Sequence, residues 1–346
     1  MIVTLNNNSS LDEKNEIFSL LNSASIAFRF IEKENCIVFP KNIDITILKG
    51  KESINEVFEI DTPFQLASIK IKSSTNITFD SAEIGKNTFT IIAGPCSVEN
   101  EKQIFSTAEF LSKSGVQFIR GGAFKPRTSP YSFRGLGMDG LKMLREAADQ
   151  YHLKVVTEIL DLSLLDSVYQ YADIIQVGSR NMHNFYMLDE LGKINKPVLL
   201  KRGMNAKVYE WLLAAEYILS GGNQNVILCE RGIRSFDPQT RNVLDIGVIS
   251  LIKELSHLPI IADPSHGTGI ASRVTSAALA ATAAGSDGLI IEIHPEPSKA
   301  LSDKEQALSF DEFRVLIQSV NNILPKLPYG KSSSLANTSV LNLQSI

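Results

Sequence analysis

Residues 89–99, FTIIAGPCSVE, begin the part of the chain that decides the fold, because a short apolar run ends there in a Gly-Pro turn followed by reactive side chains. Seven further apolar runs follow before residue 294, with helical periodicity between them. Short strands that alternate with helices are typical of parallel sheets. Eight strand–helix units within about 235 residues favour an α/β fold closed into a (β/α)8 TIM barrel over an open, doubly wound sheet. The eight runs are Phe89–Ala93, Gln117–Arg120, Lys154–Glu158, Asp173–Val177, Pro197–Lys201, Val226–Cys229, Pro259–Ala262 and Gly288–Ile293.

The first 80 residues have a different pattern, which predicts a small α+β domain ahead of the barrel. We expect a strand at residues 2–5, a helix at 11–23 and a strand pair within 28–40. A short helix at 52–58 and a strand at 67–74 complete this prediction. The polar stretch from Ser73 to Lys86 is typical of a connection. We place the linker at residues 81–87, the barrel at 88–328 and a mobile polar tail at 329–346.

Composition excludes several classes of protein. The chain is 44% hydrophobic and 21% charged with a formal net charge of -4, so no globally basic surface favours nucleic acid or membranes. Three scattered cysteines form no disulfide framework and suit a reducing compartment. The polar N-terminus lacks the pattern of a signal peptide, and the apolar stretch at 277–284 is too short to span a bilayer. We predict a cytoplasmic protein.

Positively charged residues follow the predicted strands, where the catalytic groups of a barrel collect. Any one of them could form an outward-facing salt bridge. Repetition over successive units instead indicates an anion site, since guanidinium groups bind carboxylate and phosphate oxygens in bidentate pairs. Lys201 could alternatively form a Schiff base, but its neighbour Arg202 favours anion binding. The cations are Arg120, Lys125, Arg127, Arg180, Lys201, Arg202, Arg231 and Arg234.

Potential metal ligands lie at the ends of the first, seventh and eighth strands, which adjoin when a barrel closes. Cys96, His266 and Glu292 follow these strands, and Asp303 lies in the loop beyond. Such a ligand set suits a divalent ion such as Mn, Fe, Co or Zn. The alternative for Cys96 is a buried, small apolar residue, and His294 is a competing ligand. Cys36 and Cys229 are expected to be structural, and no G-x-S-x-G motif indicates a hydrolase.

These motifs resemble those of the 3-deoxy-D-arabino-heptulosonate-7-phosphate (DAHP) synthase family, in the type I-beta subgroup that shares ancestry with 3-deoxy-octulosonate-8-phosphate synthase. The small leading domain is similar in order and length to the ferredoxin-like regulatory domain of some members. The resemblance covers nearly all of residues 88–325 and rests on IIAGPCSVEN, RGGAFKPRTSPYSFRGLG, VGSRNMHNF, KPVLLKRGM, ILCERGIR, LPIIADPSHGTG and EIHPEPSKALSD.

The resemblance implies a role for each matching residue. Cys96, His266, Glu292 and Asp303 would hold the divalent metal. A second group would bind phosphoenolpyruvate, and Arg127 with Thr128 would receive the phosphate of erythrose 4-phosphate. As mechanistic hypotheses, Lys125 delivers a proton to the new alkoxide and Glu158 positions the attacking water. The phosphoenolpyruvate group is Arg120, Lys125, Arg180, Lys201 and Arg231.

The implied activity is condensation of phosphoenolpyruvate with erythrose 4-phosphate and water, giving DAHP and phosphate in the first step of the shikimate pathway. The resemblance also suggests a homo-oligomer, a tetramer, and an aromatic amino acid effector at residues 1–80; a domain that only aids assembly is the alternative. Two other functions stay open: an octulosonate synthase that uses arabinose 5-phosphate, and a non-catalytic ligand-binding regulator. The KPRTS stretch at 125–129 favours the four-carbon aldehyde.

Overall fold

The small domain comes first in a computed structural model that describes residues 1–127, 129–328 and 331–333. Its antiparallel sheet has the order β2-β3-β1-β4, and α1 begins with a capping box between Ser10 and Glu13. The element order is that of a ferredoxin-like β-α-β-β-α-β unit whose second helix is reduced to a 3-10 turn at Thr46–Leu48. The elements are β1 (Ile2–Leu5), α1 (Leu11–Ser23), β2 (Arg29–Ile31), β3 (Cys36–Val38) and β4 (Ile54–Phe58).

Two local predictions in this region are wrong. Residues 52–58, expected to be helical, contain β4, because its backbone pairs with β1 from Ile54 to Phe58 and this distant pairing outweighs local propensity. Residues 67–74, expected to be a strand, form turns against the barrel instead. The amide of Ile69 donates to the carbonyl of Leu255, so this segment finds its backbone partner outside any sheet.

A β-hairpin occupies part of the stretch predicted to be a connection. Strands β5 (Ile77–Phe79) and β6 (Ala82–Ile84) pair antiparallel. Ile77 and Ile84 are buried in one cluster with residues that point into the barrel, including Phe118. The hairpin therefore plugs the amino-terminal end of the barrel. The division of the chain at residue 80 stays a prediction.

In the described part of the chain, eight parallel strands follow one another in sequence order, and β14 pairs back with β7 to close the barrel. The predicted (β/α)8 fold is confirmed, and each predicted apolar run overlaps one strand. The strands are β7 (Thr88–Gly94), β8 (Phe118–Arg120), β9 (Lys154–Ile159), β10 (Ile174–Val177), β11 (Val198–Lys201), β12 (Val226–Glu230), β13 (Ile260–Ala262) and β14 (Gly288–Glu292).

Helices connect the strands and cover the barrel. Among the described residues, none of these helices combines the length and the apolar character that crossing a membrane requires. They are α2 (Glu101–Lys113), α3 (Met138–Gln150), α4 (Leu165–Tyr171), α5 (Phe185–Lys193), α6 (Val208–Ser220), α7 (Ile246–Leu255), α8 (Pro264–Thr268), α9 (Ala271–Ala283) and α10 (Phe310–Ile323).

The described part of the predicted tail contacts the barrel. Lys331 is buried and donates to the carbonyls of Gly285 and Ser286 and to the carboxylate of Asp287. A short strand, β15 (Ser332–Ser333), pairs with the start of β7. Residues 329, 330 and 334–346 lie outside the described residues, so mobility of the tail as a whole stays a prediction.

Candidate active site

The alternation of side chains along the strands determines which residues point into the candidate site. Successive residues of a strand point to opposite faces, so residues two apart share a face. Phe118, Leu199 and Ile290 belong to the cluster inside the barrel, and the residue two positions after each is Arg120, Lys201 or Glu292. The same spacing brings polar groups to the carboxyl ends of the five remaining strands. They are Cys96, Glu158, Gln176, Arg231 and Asp263.

The four predicted metal ligands lie together at this end. The Sγ atom of Cys96 is 3.3 Å from Oδ2 of Asp303. Nε2 of His266 is 3.5 Å from Oε1 of Glu292 and 3.9 Å from Oδ2 of Asp303. Ligand atoms of Cys96, Glu292 and Asp303 all lie within 4.8 Å of one another. Atoms bound at about 2.0–2.3 Å to one tetrahedral ion are separated by similar distances, so the donor set fits a divalent metal.

His294, the competing ligand, has other partners. Its Nε2 atom lies 3.4 Å from Oε2 of Glu99, and its Nδ1 atom accepts a hydrogen bond from the amide of Glu296. Glu99 also accepts from the amide of Leu301 at 2.8 Å. His294 therefore helps to hold the loop after β14 against the loop after β7.

The electrostatics of the ligands reflect burial and neighbouring charge. Burial and the adjacent Glu292 raise the pKa of the Cys96 thiol to about 11, although the ammonium group of Lys125 lies 3.2 Å from Sγ. Burial alone would raise the pKa of Glu292, but His266, Arg120 and Lys125 outweigh it and lower that pKa to about 2. Glu292 is therefore an anion at neutral pH, and Cys96 is a thiol until a cation displaces its proton.

Asp263, which the sequence analysis did not single out, supports both the ligands and the cations. Its Oδ2 atom accepts from Nζ of Lys201 at 2.6 Å and lies 2.7 Å from Nδ1 of His266, close but without the alignment of a hydrogen bond. Its Oδ1 atom accepts from the amide of His266 as the cap of α8. Burial opposes ionisation, but His266 and Lys201 hold the pKa of Asp263 well below its usual range. This carboxylate therefore lies against Nδ1 of the imidazole, whose Nε2 atom faces the other ligands.

Six of the eight predicted cations line one cleft beside the ligands. Arg120 donates to Glu292 at 2.5 Å, but its Nε atom is buried and has no hydrogen-bond partner in the described part of the chain. The same holds, within those residues, for Nη2 of Arg127. Arg180 is exposed and donates to the carbonyl of Pro126. The cations that line the cleft are Arg120, Lys125, Arg127, Arg180, Lys201, Arg231 and Arg241.

Arg231 is the clearest sign of an anion site. Its side chain is buried, and its one hydrogen bond among the described residues goes from Nη1 to the carbonyl of Gly232 at 3.1 Å. Burial lowers its pKa; the nearby carboxylate of Asp263 acts in the opposite direction, and Arg241 adds to the lowering. A buried guanidinium without a bonded carboxylate is costly unless a ligand supplies the negative charge.

Two predicted cations, Arg202 and Arg234, lie outside the cleft. Arg202 is buried but donates to Glu230 at 2.9 Å and to Asp245 at 3.2 Å, so its inclusion among the anion-binding residues is wrong. Arg234 is exposed and does not line the cleft. Thr128, the predicted partner of Arg127, lies outside the described residues. Arg241 was missed, because it stands in a long loop with no strand to mark it.

Glycines make room for two reactive side chains. A Cβ atom on Gly122 would lie 2.5 Å from Nζ of Lys125, and one on Gly178 would lie 1.9 Å from Oε1 of Glu158. Any other residue at these positions would displace the ammonium group or the carboxylate. Glu158 is half-buried, lines the cleft and accepts from Nε2 of Gln176 at 3.2 Å.

Most of the chain matches the model of a known protein family. The model of the DAHP synthetase I family covers residues 68–325. The chain belongs to this family. The resemblance stated from the motifs is thereby confirmed, and the site described above lies wholly within the matched residues.

Individual relatives agree with membership of the DAHP synthetase I family. A phospho-2-dehydro-3-deoxyheptonate aldolase of Thermotoga maritima is 50% identical over 277 residues, or 80% of this chain and 82% of that protein. The crystal structure of a Thermotoga maritima DAHP synthase has a TM-score of 0.78 at 43% identity, covering 96% of this chain and 98% of its own. A 2-dehydro-3-deoxyphosphooctonate aldolase of Methylococcus capsulatus is more distant: 31% identity over 67% of this chain and 88% of that protein.

Proposed function

We propose that this chain condenses phosphoenolpyruvate with erythrose 4-phosphate and water, releasing DAHP and inorganic phosphate. The observation that supports this activity best is the pairing of a four-residue ligand cluster with buried guanidinium groups, of which Nε of Arg120 and Nη2 of Arg127 lack a hydrogen-bond partner among the described residues. Two phosphorylated substrates bring several negative charges to one cleft, and these donors would neutralise them. The 50% identity to a heptonate aldolase supports the same substrates.

Cys96, His266, Glu292 and Asp303 would hold a divalent ion, and Mn, Fe, Co and Zn all suit these ligands. When bound, the ion would act as a Lewis acid on the aldehyde oxygen of the sugar phosphate. Asp263 would keep Nε2 of His266 directed towards the other ligands.

The cations would orient the two substrates. Arg120, Lys201 and Arg231 would bind the phosphate and carboxylate of phosphoenolpyruvate, with Arg180 at the exposed edge of the cleft. Arg127, together with Thr128, would bind the second phosphate. Fixing both phosphates brings C3 of the enol phosphate to the aldehyde carbon, and this orientation replaces a costly encounter in solution.

Two residues are placed to handle protons and water. The new bond joins C3 of phosphoenolpyruvate to the aldehyde carbon, and the aldehyde oxygen becomes an alkoxide that Lys125 would protonate. Water adds at C2, positioned by Glu158 and Gln176. The resulting hemiketal phosphate then loses inorganic phosphate by cleavage of its C–O bond, which leaves the ketone of DAHP.

Several finer points remain proposals. We expect the small domain to bind an aromatic amino acid effector, with a role in assembly alone as the alternative. A homo-tetramer and a cytoplasmic location are likewise expected. The arabinose 5-phosphate activity is the competing one, because octulosonate aldolases are among the relatives of this chain.

Phosphate release from phosphoenolpyruvate tests these proposals directly. It should be measured with erythrose 4-phosphate and with arabinose 5-phosphate, each with and without chelator and with added tyrosine or phenylalanine. We expect turnover with the four-carbon aldehyde, loss of it with chelator, and no recovery by metal in a folded Cys96→Ala variant. Preference for arabinose 5-phosphate, or full activity of Cys96→Ala after chelation, would contradict the proposal.

A further inference from the structure

A buried glutamine connects the ligand cluster to the cation-lined cleft. Gln306 lies in the loop between β14 and α10 and is only 1% exposed. Its Nε2 atom donates to Oε2 of Glu292 at 2.6 Å, and its Oε1 atom accepts from Nη1 of Arg241 at 2.5 Å. The amide is thus bonded at both ends to charged side chains, one in the ligand cluster and one in the cleft wall.

This contact leaves Glu292 no freedom to rotate. Its Oε1 atom accepts from Arg120 at 2.5 Å, while Oε2 is held by Gln306. The amide of Glu292 donates to Oγ of Ser265, which fixes the backbone as well. A carboxylate bonded at both oxygens has a defined plane, and a ligand held in this way loses little entropy when it binds an ion.

Gln306 also contacts the turn that carries Asp303. Its amide donates to the carbonyl of Asp303 at 3.2 Å, and Asp303 has a φ of 50°, a left-handed conformation that is unfavourable for most residues. Nη1 of Arg241 lies 3.5 Å from Oδ1 of Asp303. The backbone of Gln306 therefore bonds to the Asp303 turn, while its side-chain amide stands between one ligand, Glu292, and a guanidinium that also lies near Asp303.

We propose that Gln306 is a positioning residue of the metal centre, which orients Glu292 through Nε2 and is itself oriented by Arg241. This inference rests on the proposed function, because it assigns a role towards the ion that the four ligands would hold. Partners of metal ligands typically contribute about 10- to 100-fold to metal affinity. Methionine has a similar length but cannot donate to Glu292, so Gln306→Met removes the contact without leaving a large cavity.

The test is a metal dissociation constant measured on the purified, full-length protein. Cobalt(II) affinity is determined by competition with a chromophoric chelator, and the absorption bands of bound cobalt report ligand geometry independently of turnover. We expect Gln306→Met to weaken cobalt binding by about 10- to 100-fold and to shift these bands. Arg241→Met should weaken binding in the same direction but less, because it leaves the bond from Gln306 to Glu292 in place.

A matched control comes from the domain junction. Gln65 is also buried, and its Nε2 atom donates to the carbonyl of Phe39 at 2.7 Å. Gln65→Met should lower the melting temperature but leave the cobalt dissociation constant and spectrum unchanged. This comparison separates an effect on the ligands from a general loss of stability.

The possible results distinguish the two proposals. If the wild-type protein binds no cobalt, or if Cys96→Ala binds cobalt as tightly as the wild-type protein does, the proposed metal centre is wrong. If wild-type binding depends on Cys96 but folded Gln306→Met retains the wild-type constant and spectrum, the positioning role is wrong. Should Gln306→Met fail to fold, Gln306→Leu, which also lacks the donor to Glu292, takes its place, and an unchanged cobalt constant and spectrum of that variant overturn the inference.

Discussion

Replacing Arg231 with methionine should separate ligand binding from folding stability. Arg231 is 5% exposed, lines the cleft and has a carbonyl oxygen as its one hydrogen-bond partner among the described residues. The folded protein therefore carries the cost of a buried charge that no bonded carboxylate offsets. Methionine has similar length without the charge, so the variant removes both that cost and the ligand contact.

The expected magnitudes follow from these contacts. A bidentate guanidinium–phosphate pair contributes two charge-assisted hydrogen bonds of about 1.5–2 kcal/mol each, so its loss should weaken phosphoenolpyruvate binding roughly 100- to 1000-fold. Relief of this buried charge, which Asp263 offsets only in part, should stabilise the unliganded protein by about 1–3 kcal/mol. Unfolding entropy of about 2.1 cal/mol/K per residue makes this a rise in melting temperature of roughly 1–4 °C for a chain of 346 residues.

Arg202→Met is the matched control, because Arg202 is 4% exposed but pairs with Glu230 and Asp245. Its removal leaves two carboxylates without their partner and should destabilise the protein by about 3–5 kcal/mol, roughly 4–7 °C. The assays are the KM for phosphoenolpyruvate and thermal unfolding of the unliganded protein. If Arg231→Met melts lower, as Arg202→Met should, and keeps its KM, Arg231 is a structural residue and the reasoning is refuted.

Three further perturbations test the rest of the fold. Burial lowers the pKa of His257 from 6.5 to about 4, so the unfolded chain binds a proton that the folded protein does not. The free energy of unfolding should fall by about 3 kcal/mol as the pH drops from 6.5 to 4, and urea titrations of His257→Gln should lack this fall. Lys331→Met leaves buried Asp287 with one fewer cation and should cost about 2–4 kcal/mol in the same titrations; an unchanged midpoint would mean that the tail contact is not formed in solution. Ile84→Ala leaves a cavity in the hairpin plug and should cost about 2–5 kcal/mol at unchanged kcat, whereas a lower kcat would connect the plug to the distant site.

The two-residue periodicity of strands explains why the barrel was predicted correctly and why one cation was assigned to the anion site by mistake. Eight short apolar runs determine the barrel, and alternation then places Lys201 at the inner mouth because it lies two residues after Leu199. The same rule directs Arg202 to the outer face, where it meets Glu230 and Asp245. Both residues were predicted to bind anions because both lie at a strand end, but only Lys201 points to the inner face.

Other parts of the site could not be found by this rule. Gln306 and Arg241 stand in loops, where no periodicity relates a residue to the strands, and their contact spans 65 positions. The hairpin was missed because its two buried residues, Ile77 and Ile84, are separated by six residues that are half-buried or exposed and show no strand alternation long enough to stand out. Strand β4 depends on pairing with β1, about fifty residues away, and local propensity carries no information about such a partner.

The charges at the mouth form one connected system. Arg120 is paired with Glu292, and Lys201 is paired with Asp263, and both carboxylates also lie beside His266. Changing either cation therefore disturbs the ligand cluster, and a loss of activity could not be assigned to substrate or metal binding alone. Arg231 forms no ion pair among the described residues and donates to the carbonyl of Gly232, so its charge stays available for a ligand, as do those of Arg127 and Arg180. Substitution of Arg231, unlike that of Arg120 or Lys201, breaks no ion pair at the mouth among the described residues, so it tests the anion site with less disturbance of the ligand cluster.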